Sequence, residues 1–150
     1  MKNRVCCCFG HREVLEDLSL RLQRVVEELI VQENVSIFYT GGMGQTDERF
    51  ASAVRQMKGR YSQVELILVR PYFAEELNRN KQYYQENYDS ILIPSETAGL
   101  YYKGAIRAGN RWMVDRSDYV VSYVLRRFGG AYDAVEYARR KGKVILDIAR

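Results

Sequence analysis

Val35-Ser36-Ile37-Phe38-Tyr39-Thr40-Gly41-Gly42-Met43-Gly44-Gln45-Thr46-Asp47 is the stretch whose reading decides the fold. Val35 to Tyr39 is a short run rich in β-branched and aromatic residues, the composition of a strand buried on both faces. Thr40 to Gly44 is a glycine-rich turn. Thr46 stands where a cap is expected for a helix in which Phe50, Val54 and Met57 share one face. The same order returns later in the chain. Asp118 to Val124 reads as a strand, Gly129-Gly130 as a turn and Tyr132 to Arg140 as a helix.

Outward from these two units the alternation continues. Arg4 to Phe9 is an apolar strand. From Glu13 to about Gln32 the period changes, with Val14, Leu15, Leu18, Leu22, Val25, Val26, Leu29 and Ile30 at three- and four-residue spacing, an amphipathic helix. Val64 to Val69 is a strand ended by Pro71. Residues 72–88 are polar and tyrosine-rich, helical in part. Asp89 to Ile93 is a weaker strand, Ser95 to Gly104 a loop, Ala105 to Arg116 a helix and Lys143 to Ile148 the last strand. Short apolar strands alternating with helices predict a mostly parallel sheet covered on both faces. Right-handed crossovers then make residues 1–150 a single-domain Rossmann-like three-layer α/β/α sandwich, with its ligand beyond the carboxyl ends of the strands.

Composition agrees with one globular domain: 150 residues, 47% hydrophobic, 28% charged and only 2 Pro, which excludes disordered and collagen-like chains. No apolar stretch approaches the roughly 18 residues of a membrane span. Cys6-Cys7-Cys8 is an odd, contiguous set that fits buried strand cysteines in a reducing compartment. With His11 as the only histidine, these cysteines form a poor metal-ligand set, and no metal site is expected. The first apolar run is short and has no small-residue cleavage site, so no signal peptide is read and a cytoplasmic location is expected. Charge is uneven. Residues 1–100 carry 12 basic and 14 acidic side chains, whereas residues 101–150 carry 11 and 5. A basic final third suits an anionic ligand or nucleic acid, or simply a solvated face.

The residues after the strands are the candidate site: Gly10, His11 and Arg12; Gly41, Gly42, Gly44 and Asp47; Gly129 and Gly130. The glycine turns are expected to leave backbone N–H groups open to a ligand. Asp47 and Glu48 in a first helical turn repel phosphate, so ribose hydroxyls are expected near Asp47 and phosphate near the glycine amides, Arg12 or Arg111. Trp112 is either a base-stacking surface or core. Asp133 and Glu136 follow the second glycine turn one helical turn apart, and serve either the helix terminus or, in an enzyme, a developing oxocarbenium ion. The dinucleotide fingerprint G-x-G-x-x-G and the P-loop Lys-Ser/Thr are both absent, so no standard cofactor is implied.

Four segments together resemble the YpsA-like branch of the SLOG superfamily, which takes its name from Smf/DprA DNA-processing proteins and Lonely Guy phosphoribohydrolases. They are Cys-Cys-Phe-Gly-His-Arg (7–12), Thr-Gly-Gly-Met-Gly-x-x-Asp (40–47), Asn-Arg-x-Met-Val-Asp-x-Ser-Asp (110–118) and Gly-Gly-Ala-Tyr-Asp-x-Val-x-Tyr-Ala-x-x-x-Gly-Lys (129–143). The resemblance covers nearly the whole chain in order. It implies a Rossmann-like domain that binds nucleotides or molecules derived from them, and it adds Asn110, Arg111 and Asp115 to the site residues. Two departures fall in the first segment, where Phe9 runs straight into Gly10 and Glu13 replaces an expected Pro. Similarity to the Lonely Guy motif Pro-Gly-Gly-x-Gly-Thr-x-x-Glu is partial: Gly129, Gly130 and Glu136 match, while Phe128, Tyr132 and Asp133 do not.

The leading expectation is a protein that binds a nucleotide or nucleotide-derived small molecule as sensor or regulator. One alternative is a nucleotide N-glycosidic hydrolase using Glu136 or Asp133. Another is a DprA-like module for single-stranded DNA. Tyr101, Tyr102 and the 72–88 segment are candidate contacts for a homo-oligomer.

Overall fold

A computed structural model of the chain describes residues 3–97 and 99–149. Six strands form one sheet: β1 (Arg4–Gly10), β2 (Val35–Thr40), β3 (Glu65–Val69), β4 (Ser90–Leu92), β5 (Tyr119–Tyr123) and β6 (Val144–Asp147). Its helices are α1 (Ser19–Glu33), α2 (Gln45–Lys58), α3 (Glu76–Arg79), α4 (Lys81–Asn87), α5 (Tyr102–Arg116) and α6 (Gly130–Arg140), with one 3-10 turn at Ser95–Thr97. Every strand pair is parallel, in the order β4-β3-β2-β1-β5-β6. The chain builds from β1 to β4 on one side. It then crosses through α5 and continues on the other side of β1. The strand order therefore reverses between β1 and β5, which is where such sheets open a crevice.

The two faces have separate cores because successive strand side chains point to opposite sides. Cys6 and Cys8 join Leu22, Leu29, Phe50 and Val54 beneath α1 and α2. Cys7 and Phe9 join Met113, Val114, Val135 and Ala138 beneath α5 and α6. Phe38 and Phe50 meet with ring centroids 6.0 Å apart. Each fully buried Leu or Phe contributes about 1.5–3 kcal/mol relative to an exposed one. All three cysteines are buried and free, and burial holds their thiols protonated, Cys7 being pushed up to about 12.

Three local expectations are corrected. Residues 13–18 are not helical, and α1 begins at Ser19. Val14 and Leu18 are buried four residues apart and so mimic helical spacing, but Leu15 between them is fully exposed. The segment is instead tied to α2: Gln45 Oε1 accepts the Val14 N–H at 2.6 Å, and the Gln45 N–H donates to the Arg12 carbonyl at 2.8 Å. Thr46 does not cap α2. It lies inside the helix, and its hydroxyl donates to the His11 carbonyl at 2.8 Å. Helices α5 and α6 begin three and two residues earlier than read, at Tyr102 and Gly130.

Candidate functional site

A cleft of about 780 Å³ opens where β1, β2 and β5 end. Gly10, His11, Arg12, Gly41, Asp47, Asn110, Gly129 and Gly130 all line it. These residues come from four separate segments, and the strand order alone brings them together.

The two glycine turns differ in what they leave unpaired. In the first, the Gly42 N–H donates to the Thr40 hydroxyl (3.2 Å) and the Met43 N–H to Asp47 Oδ2 (2.9 Å). The Gln45 and Thr46 N–H groups reach the carbonyls of Arg12 and His11, at 2.8 and 3.4 Å. The expected open amide cradle is therefore largely closed by the protein itself. Gly44 is needed there for two reasons: its φ is 104°, and a Cβ would stand 2.6 Å from the Arg12 Cα. Its task is to let the post-β1 segment pack on α2.

In the second turn α6 starts at Gly130 with no side-chain cap. The first four N–H groups of a helix have no intrahelical acceptor. Among the described residues the earliest bond here is from the Asp133 N–H to the Gly129 carbonyl, at 2.9 Å. Gly130 and Ala131 line the cleft, so the positive end of α6 faces it. Arg12 borders the same space and forms no ion pair among the described residues.

Asp47 lines the cleft as a buried carboxyl, 8% exposed. Burial pushes it up to about 7, against the downward pull of the Met43 N–H and the Arg12 guanidinium. A carboxyl poised near neutrality in a cleft can accept or donate a proton, or bind a hydroxyl in either state. His11 is committed differently. Its Nε2 accepts the Leu125 N–H at 2.8 Å, so it links the segments after β1 and β5. Burial and the nearby Arg126 lower its pKa and favour the neutral ring that this bond requires. Exposed apolar side chains stand at the mouth: Leu15, Leu125 and Phe128 are 103%, 63% and 66% exposed and line the cleft from two segments, beside the charged Glu13, Glu16 and Arg126, whose guanidinium lies 4.8 Å from the Phe128 ring centroid.

Several expected site residues lie elsewhere. Gly42 and Gly44 serve the fold of the first turn and do not line the cleft. Asp115 accepts the Tyr137 hydroxyl at 2.7 Å and joins α5 to α6. Glu136 pairs with Arg139 at 3.6 Å and reaches neither the cleft nor the groove beside it. Arg111 and Asp133 line that adjoining groove, between α5 and α6. Trp112 donates to Glu96 at 3.2 Å, and Arg116 stacks over its ring at 4.0 Å, a clasp between α5 and the 3-10 turn. Sequence reading missed Leu15, Leu125 and Phe128, whose exposure no periodicity reports. It also missed Lys103 and Arg107, whose four-residue spacing with Arg111 was a readable signal. Among the described residues no group of three or more His, Cys, Asp or Glu is placed to hold a metal ion, and no helix is long and apolar enough to cross a membrane.

No family model matches the chain. Over 135 residues, 80% of this chain and 79% of the relative, it is 24% identical to the uncharacterized SPbeta prophage-derived protein YoqJ of Bacillus subtilis (strain 168). DNA processing protein A from Helicobacter pylori, whose structure is described for its single-stranded DNA binding mode, superposes with a TM-score of 0.66 at 16% identity over 96% of this chain. DNA processing protein A from Streptococcus pneumoniae gives 0.65 at 15% identity over 97%. The chain spans 64% and 50% of the lengths of those two proteins. A molybdenum cofactor binding protein from the phototrophic bacterium Rippkaea orientalis gives 0.59 at 18% identity, over 98% of this chain and 77% of that one. At these identities the likeness is one of fold alone: a Rossmann-like α/β domain, in agreement with the all-parallel strand order.

Proposed function

We propose that the strand-end cleft binds a nucleotide or nucleotide-derived small molecule, and that the protein acts as a sensor or regulator of it. The observation that carries this reading is one cleft lined by the uncapped α6 N-terminus, by Arg12 without an ion pair among the described residues, and by the buried carboxyl of Asp47. The α6 amides and Arg12 would take a phosphate, as fixed dipoles and a guanidinium fork. Asp47 would bind ribose hydroxyls. Leu15, Leu125 and Phe128 would pack on the base, which covers apolar surface that otherwise faces water.

Thermal unfolding against AMP, ADP-ribose, NAD, cyclic nucleotides and a short single-stranded DNA tests this. A ligand at about 100 times its Kd adds about 2.7 kcal/mol, a shift of several degrees in a domain of this size. One nucleotide class should give that shift, and Arg12→Ala should remove most of it. A shift that Arg12→Ala leaves intact would put the ligand elsewhere.

A second reading is single-stranded nucleic acid. The fold likeness to the Helicobacter pylori protein favours it, as do the 77% and 50% exposures of Tyr101 and Tyr102 beside Lys103. Exposed aromatics next to cations are stacking platforms for unpaired bases. This reading predicts binding of the oligonucleotide alone, with a steep loss of affinity between 50 and 200 mM salt, as expected on the order of several released counterions.

A further inference from the structure

Helix α5 carries Lys103, Arg107 and Arg111 at four-residue intervals, one stripe along one face. All three line a groove of about 540 Å³ between α5 and the start of α6. Arg12, Ile106, Asn110 and Gly130 border this groove and also line the strand-end cleft, so the two spaces meet along a shared wall. Four cations face this groove against one carboxylate, Asp133. None of the four forms an ion pair among the described residues. Arg111 lies over the Tyr137 ring at 4.6 Å, which holds the guanidinium without neutralising it.

The stripe works against its own helix. Like charges four residues apart repel, and Lys103 stands in the first turn of α5, where the helix dipole disfavours a cation. That first turn holds no acid to offset it. Helices α2 and α6 follow the favourable rule, with Arg55 and Lys58 in the last turn of α2 and Arg139 and Arg140 in the last turn of α6. An unoffset cation row along a groove that opens into a ligand cleft is what an extended anion would require.

We infer that the α5–α6 groove is a second anionic subsite of the cleft, and that the ligand carries a polyphosphate chain, as a nucleoside di- or triphosphate does. The inference rests on the nucleotide reading above and deepens it. The first phosphate meets Arg12 and the α6 amides at the shared wall. The following phosphates run along Lys103, Arg107 and Arg111, and the base is left towards the mouth.

The test is calorimetric titration of the chain with AMP, ADP and ATP and with GMP, GDP and GTP, for wild type and for the double variant Lys103→Ala/Arg107→Ala. Far-UV circular dichroism checks that the variant is folded. Affinity in the wild type should rise at least tenfold from mono- to triphosphate in one of the two series. The double variant should bring the three affinities of that series together. Inorganic tripolyphosphate should compete with the triphosphate in the wild type. Equal affinity across a series that binds, or a double variant that keeps the full gain, would overturn the second subsite while leaving the nucleotide reading standing. Failure of all six mononucleotides would overturn this subsite, and the nucleotide reading would fall with it only if ADP-ribose, NAD and the cyclic nucleotides also gave no thermal shift. If no mononucleotide binds, the same titration with a short single-stranded DNA decides the groove: binding that the double variant weakens would give it to nucleic acid and overturn the polyphosphate subsite.

Discussion

Asp47 stands in the first turn of α2, a favourable place for a carboxylate by the helix dipole, yet its burial reverses the balance. Raised from 3.8 to about 7, the carboxyl binds its proton more tightly folded than unfolded. Its contribution to stability is then fully present below 3.8 and is lost as pH rises towards 7. A shift of this size corresponds to about 4 kcal/mol. Asp47→Asn keeps an oxygen to accept the Met43 N–H and removes the charge. It should melt higher than wild type at pH 8, by several degrees, and the gap should shrink towards pH 5. A gap that does not change with pH would show that Asp47 is ionised throughout. His11 works in the opposite direction: its lowered pKa means that stability is lost as pH falls below 6.5, so the comparison must be made between the two proteins at each pH. The glycines separate cleanly as well. Gly44→Ala forces a Cβ onto the Arg12 backbone at φ 104° and should cost roughly 1–3 kcal/mol in urea denaturation. Gly130→Ala meets nothing within 4 Å and should change stability little. Equal losses in the two would refute the close approach of Arg12.

At the scale of elements, the ends of the helices matter more than their interiors. The last turn of α1 runs into Asn34, the one non-glycine residue with positive φ among those described, at 58°. Its N–H closes back onto the Leu29 carbonyl. Asn tolerates this left-handed geometry, Gly adopts it without a Cβ penalty, and a β-branched residue resists it. Asn34→Gly should therefore be neutral or slightly stabilising. Asn34→Val should lose on the order of 1–2 kcal/mol, as read from denaturation midpoints. If Val is tolerated as well as Gly, the left-handed cap is not formed. Helices α2 and α6 also show why similar-looking turns diverge. The amides at the start of α2 are taken by carbonyls of residues 11 and 12, while among the described residues no other segment bonds to the amides at the start of α6.

Across the whole molecule, the reversal of strand order between β1 and β5 builds the cleft. Parallel strands end on the same edge, so Arg12, Gly41, Asp47 and Gly130 meet although they are far apart in sequence. The two cores lie on opposite faces of the sheet, and the cleft is bounded by α2 from one layer and by α5 and α6 from the other. A ligand seated there bridges both layers. Its binding should therefore raise the unfolding temperature of the whole domain in one cooperative step. Two separated transitions in the bound state would show that only one layer engages it.

The parallel α/β architecture was legible because strand and helix impose different side-chain periods, and the runs at 4–9, 35–39, 64–69 and 118–124 are too short and too apolar for helices. The glycine turns likewise announced where strands end and helices begin. The sequence also determined the burial of Cys6, Cys7 and Cys8, since three apolar-like neighbours in a central parallel strand must point into both cores. It did not determine which glycine turn leaves amides free. That depends on carbonyls of His11 and Arg12, brought over α2 by the packing of Val14 and Leu18. Spacing made those two side chains look helical, and only the bond from the Val14 N–H to Gln45 and the start of α1 after Leu18 show them to be the feet of a loop. Asp47, Asp115, Asp133 and Glu136 are equivalent as letters in a sequence. Tertiary packing alone distinguishes them, because desolvation and hydrogen-bond partners are properties of the surroundings and not of the residue.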